Sequence, residues 1–146
     1  MSASDPASAA ERPIPENGLI TVASEFPVAE TIDRLAELAT ARGLHIFARI
    51  DHAAGEAKAG LTLRPTQLLI MGNPTGGTPL MQDRQTAGID LPVKALAWED
   101  ADGRVWLSYN DAAWIAQRHG LGAESRNAVE AMAAGLAALT KAAATR

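Results

Sequence analysis

His45, His52, His119 and one glycine-rich turn are the features through which this chain could do chemistry. His52 follows Asp51 at the end of an alternating apolar segment, where a histidine can serve as acid, base, ligand or hydrogen-bond donor. Asp51 or Asp90 could orient it. The plainer alternative is a capped turn, with Asp51 accepting from the amides that follow and His52 bonded to a nearby carbonyl. Gly72-Asn73-Pro74-Thr75-Gly76-Gly77-Thr78 has the spacing of a phosphate-binding P-loop, except that Thr78 stands where that motif needs lysine. Without that cation, nucleotide hydrolysis is not expected. A turn of free amides before a helix can still receive a small anion or carboxylate. Its alternative is a tight strand-to-helix connection shaped by glycine and proline, with Thr78 as the helix cap. Asp90, just before Leu91-Pro92, either caps the preceding segment or points into a pocket shared with His52 and Asn73.

Several chemistries fall away on composition. The chain has no cysteine, so disulfides, thiolate metal sites and cysteine nucleophiles are excluded. His45 and His52 form no recognised ligand pair, so no metal is expected, haem through a single histidine has no support, and no cofactor is specified. A net charge of −4 with scattered Arg and Lys gives no basic stripe for a phosphate backbone, and aromatics at 4% leave few stacking platforms, so nucleic acid is not an expected partner. The first residues lack the basic and apolar regions of a secretory signal, and no stretch approaches a membrane span. A cytoplasmic protein without membrane contact is the expectation.

The elements that must position these groups follow from periodicity. Met1 to Asn17 is rich in Ser, Ala, Pro and Glu without pattern and reads as a disordered tail (1–17). Leu19 to Phe26 suggests a strand, and Val28 to Arg42 a helix with Ile32, Leu35, Leu38 and Ala39 on one side and Gly43 as its stop. Leu44 to Asp51 alternates as a half-buried strand. Asp51 to Gly60 reads as a short helix, and Thr66 to Gly72 (TQLLIMG) as a central strand. Asn73 to Gly77 is read as a loop, with Thr78-Pro79 starting a helix to Ala87. Leu91 to Trp98 and Arg104 to Tyr109 form a hairpin around Asp102-Gly103. Asp111 caps a helix ending at His119 and Gly120. In the final alanine-rich helix, Val129, Met132, Leu136 and Leu139 make a narrow stripe, read as packing on its own domain or on a partner. Trp98, Trp106 and Trp114 are read as core or interface residues, Trp106 facing a partner.

The order β-α-β-(α)-β-α-β-β-α-α, with no dinucleotide fingerprint, predicts an α+β single domain: a curved antiparallel or mixed sheet with helices on one face. DHAAGEAKAGL at Asp51 to Leu61, RPTQLLIMGNP at Arg64 to Pro74, GTPLM at Gly77 to Met81, IDLPVKALAWED at Ile89 to Asp100 and VWLSYND at Val105 to Asp111 resemble the bacterial family known as domain of unknown function 302. The resemblance spans about Ile20 to Leu121, dividing the chain into a core at 18–121 and a C-terminal helix at 122–146. It implies a small α+β fold and a homodimer, favours His52 over the other histidines, and implies no particular activity. The leading expectation is a module that binds a small anionic or polar ligand near His52, Asn73, Gly77 and Thr78, with Asp51 and Asp90 close by. The alternatives are an enzyme using His52 as general acid or base, and a dimeric interaction module without ligand chemistry.

Overall fold

The computed structural model describes residues 14–146. The expected tail therefore lies outside the described residues up to residue 13. Its last residues are hydrogen-bonded to the chain that follows, Gly18 N donating to Pro15 O at 3.0 Å and Leu19 N to Asn17 Oδ1 at 3.1 Å.

Five strands form one antiparallel sheet in the order β1-β5-β4-β3-β2: β1 Leu19–Ser24, β2 His45–Asp51, β3 Thr66–Gly72, β4 Val93–Glu99 and β5 Val105–Asn110. TQLLIMG is an interior strand with the expected bounds. Its alternation puts Leu69 and Met71 on one face together with Ala95, Ala97, Leu107 and Tyr109, all buried. Helices α1 (Val28–Ala41) and α5 (Arg126–Ala144) pack across that face and supply Ile32, Leu35, Ala39, Leu136, Leu139 and Ala143 to the same core. Leu136 and Leu139 are thus core residues, and that part of the stripe on the last helix packs on its own domain.

Arg34 ties the two helices together at one end. Its Nε donates to Ala143 O at 2.9 Å, and Nη2 donates to Ala142 O at 3.0 Å and Thr145 O at 2.8 Å. A cation there satisfies carbonyls that have no partner within the helix and sits at the negative end of its dipole. At the other end of the fold, α4 (Ala112–His119) is capped as expected: Asp111 Oδ1 accepts from Ala113 N at 3.0 Å, and Gly120 ends the helix in the left-handed region at φ 67°. Trp114 of α4 packs over Gly18, whose φ is +82° and where an added Cβ would lie 2.4 Å from the indole. Only glycine fits there.

The helix after β3 departs from expectation. Helix α3 runs Pro74–Asp83, capped by Asn73 with Pro74 at its first position, and Pro79 lies inside it. Asn73-Pro74 and Thr78-Pro79 are both acceptable cap-and-proline starts, and the chain uses the earlier one. A 3₁₀ turn at Gln85–Asp90 follows in place of a continuous helix to Ala87. The short helix α2 (His52–Lys58) and the β4–β5 hairpin form where expected, the latter closed by Asp100 Oδ1 accepting from Asp102 N at 2.9 Å and Arg104 N at 3.0 Å. No helix among the described residues is long and apolar enough to cross a membrane.

Candidate functional site

The pairing of β2 with β3 decides which candidate residues can meet. His45 faces Gly72 at one end and Asp51 faces Gln67 at the other. His52 and Asn73 therefore leave the sheet at opposite ends, about 20 Å apart at strand rise. A single site containing both is ruled out by that distance, and the shared pocket expected from strand ends is corrected. The carboxyl ends of two antiparallel neighbours lie at opposite ends of the sheet. Asp51 adopts the plainer role: its Oδ1 caps α2 by accepting from Ala54 N at 2.9 Å, and Oδ2 accepts from Gln67 Nε2 at 3.4 Å. His52 is the exposed first residue of α2.

The Asn73 to Thr78 segment has few amides to offer an anion. Asn73 Oδ1 accepts from Thr75 N at 2.9 Å, and Asn73 O accepts from Gly76 N at 2.9 Å and Gly77 N at 3.2 Å. Thr78 does not cap the helix; its Oγ1 donates back to Pro74 O at 2.6 Å. The cradle of free amides expected here is instead the first turn of α3, with its donors already engaged.

Asp90 joins neither group. Buried at 8% exposure, it accepts from Arg118 Nη1 at 3.0 and 3.1 Å and from His119 Nε2 at 2.6 Å. Because a carboxylate only accepts, Nε2 carries a proton, and in the neutral ring Nδ1 accepts from Thr86 Oγ1 at 3.1 Å. The histidine–carboxylate pair sought at His52 is thus made by His119. It fastens the 3₁₀ turn to the end of α4. Sequence reading missed it because Asp90 and His119 are far apart in the chain and meet only in the fold; the Arg118-His119 pair at a helix C-terminus was the available cue. Among the described residues, no group of three His, Asp or Glu could hold a metal ion.

What the fold does build is a cleft of about 650 Å³ between the first turns of α3, the ends of β2, β3 and β4, and one side of α5. Leu44 and Phe47 form one wall; Leu91, Pro92 and Val93 another. Ala128, Ala131, Met132 and Gly135 of α5 close it. Three of these four are small, and an added Cβ at Gly135 would meet nothing within 4 Å. Of the expected ligand residues, Asn73, Gly77 and Thr78 line this cleft, whereas His52, Asp51 and Asp90 do not.

A model of the family described as domain of unknown function DUF302 matches residues 20–139. The chain belongs to the DUF302 family. The match extends past Leu121 and takes in most of α5, the helix that closes the cleft. A crystal structure of a DUF302 protein from Bacillus stearothermophilus shares the fold, with a TM-score of 0.69 at 19% identity over 87% of this chain and 95% of that one. This DUF302 chain is also 55% identical over 126 residues to "Fluoride-specific ion channel FluC 1" of Brucella suis, covering 86% of this chain and 50% of that protein. It is similarly 55% identical to "Fluoride-specific ion channel FluC 2" of Brucella melitensis, covering 47% of it. The chain thus spans about half the length of the curated relatives it matches.

One latch sets the spacing of the helices around the cleft. Asp83, the last residue of α3, accepts through Oδ2 from Ser125 Oγ at 2.7 Å and Gly122 N at 2.9 Å, just before α5 begins. The Ser125 hydroxyl and then the Gly122 amide hold its carboxyl below the ordinary carboxylate pKa, against a smaller opposing effect of desolvation. A pKa lowered on folding stabilises the native state fully above the unfolded value, and the gain is lost as pH falls through the native one. Asp83→Asn is therefore expected to lower the melting temperature at pH 7. The gap to wild type should narrow as pH drops below about 4; thermal melts across that range check it, and a gap independent of pH would contradict the latch.

Proposed function

We propose that this domain binds a small, largely apolar molecule in the cleft between α3, α5 and the β2–β3–β4 strand ends. The observation that carries the reading is the cleft itself: about 650 Å³, walled mainly by Leu, Phe, Pro, Val, Met and Ala side chains. Clefts that hold small ligands run roughly 300–1,000 Å³ and are mostly apolar with a few polar groups for orientation. Small residues on α5 support it, since Ala128, Ala131 and Gly135 leave space where larger side chains would fill it. The expected polar or anionic ligand held by loop amides gives way to one held by its apolar body.

Gly135→Leu tests this without disturbing the core. The new side chain enters open space, and replacing glycine inside a helix favours the fold by somewhat less than about 1 kcal/mol. Binding of the neutral dye N-phenyl-1-naphthylamine, read by fluorescence, is expected for the wild type and lost in Gly135→Leu, while the melting temperature holds or rises. Equal dye binding by both proteins would overturn the cleft as the site.

A homodimer is proposed through the sheet face turned away from α1 and α5, where Leu68, Ile70, Leu96, Trp98 and Trp106 stand half-buried. Light scattering is expected to report twice the 15.3 kDa chain mass; a lone 15.3 kDa species at all concentrations would remove it.

A second reading comes from the Brucella proteins. A fluoride channel must cross the bilayer, and no helix among the described residues here could do so. The half of those proteins matched by this chain then has a duty other than supplying spanning helices. We propose that this domain serves a fluoride channel as an accessory module on the cytoplasmic side. Fluoride efflux from vesicles holding the Brucella suis channel without its matched half should change by at least about twofold when this chain is added. Unchanged flux together with no co-purification would reject the reading.

A further inference from the structure

The cleft carries a charge pattern that specifies more than an apolar occupant. Of its lining residues, Arg42 is the only one with an ionisable side chain. Arg42 follows the last turn of α1, is exposed, and has no ion-pair partner among the described residues. The other arginines near the core are engaged: Arg34 with carbonyls of the α5 end, Arg49 with Asp33, Arg118 with Asp90. Asn73 Oδ1 and Thr75 Oγ1, the polar side chains closest along the chain to the strand end, are bonded to each other at 2.7 Å. The amides of Thr75, Gly76 and Gly77 are likewise spent within α3. What remains for a ligand's polar end is the Asn73 Nδ2 amide, a neutral donor, and one charged group, the Arg42 guanidinium at the rim.

A guanidinium stays protonated at all physiological pH and presents a planar fork that matches a carboxylate. No acidic side chain lines the cleft to receive a cationic head or to neutralise Arg42. We infer that the cleft takes a free monoanionic amphiphile, a carboxylate on a hydrocarbon body, with the hydrocarbon between Leu44, Phe47, Met132 and Leu136 and the carboxylate on Arg42. The inference rests on the cleft being the binding site and adds the class of ligand. It restores the anionic ligand expected from the sequence, with a different group holding the charge.

The test is competition against the neutral dye with three probes of equal chain length: decanoate, decanol and decyltrimethylammonium. Decanoate is expected to displace the dye at concentrations roughly tenfold lower than decanol, as one charge-assisted contact implies, and decyltrimethylammonium least well. Arg42→Gln should abolish the preference for decanoate over decanol, and Arg42→Lys should restore part of it. Decanoate and decanol displacing equally, or a preference that survives Arg42→Gln, would overturn the assignment of the head to Arg42 while leaving the cleft standing. A dye that does not bind, or that binds Gly135→Leu as well as wild type, would instead remove the cleft reading beneath it. Capture by phosphatidylglycerol vesicles without displacement by free decanoate would assign the charge to a membrane surface and reject a free ligand.

Discussion

The antiparallel hydrogen-bonding of β2 to β3, His45 opposite Gly72 and Asp51 opposite Gln67, sets the geometry on which everything else in this domain depends. It turns β2 so that its first residues, with Leu44 before them, lie beside the end of β3. Phe47 sits where the register shifts between Ile46 and Ala48, and its ring is near Gly72. The approach is close: a Cβ at Gly72 would stand 3.2 Å from Pro92 Cβ, which would have to give by a few tenths of an ångström, and 3.7 Å from Phe47 Cε2, an ordinary contact. The same pairing sends Asp51 and His52 to the far end, where the aspartate caps a helix and the histidine faces solvent.

From this constraint the cleft follows in steps. β3 ends at Gly72, and the side chain of Asn73 starts α3 at once, so the helix leaves the sheet beside Phe47 and Pro92. Asp83 then returns the end of α3 to the start of α5 through Ser125 and Gly122. α5 crosses the sheet with Leu136 and Leu139 driven into the core, each worth about 1.5–3 kcal/mol on full burial. Arg34 holds its far end. The core residues fix the helix in place, and the alanines and glycine beside them leave the gap. One helix thus both completes the core and walls the cleft, which fits its place inside the family match.

Much of this fold is legible in the residues, because it rests on local rules. TQLLIMG alternates as an interior strand must, Val28 to Ala41 repeats at helical spacing, and Asp111 with Gly120 brackets α4. The site was less legible. Two cap-and-proline pairs compete for the start of α3, and nothing within Asn73 to Pro79 tells which one the tertiary structure will use. His52 carried an aspartate neighbour in sequence, while the histidine that holds a buried carboxylate, His119, finds Asp90 only through folding. The stripe on α5 was visible, but the small residues beside it signal a cleft only once α3 and Phe47 stand opposite. Pairing direction is the common cause: local periodicity identifies strands but not which of their ends are neighbours.

The central claim is that apolar ligands enter between α3 and α5 rather than settle on the half-buried sheet face opposite the helices. Methyl-resolved NMR of the full chain during titration with N-phenyl-1-naphthylamine separates the two surfaces directly. The account predicts saturable shifts in the methyl groups of Leu44, Met81, Met132 and Leu136, with those of Leu68, Ile70 and Leu96 unmoved. Shifts confined to Leu68, Ile70 and Leu96 would contradict it and make the open sheet face the binding surface.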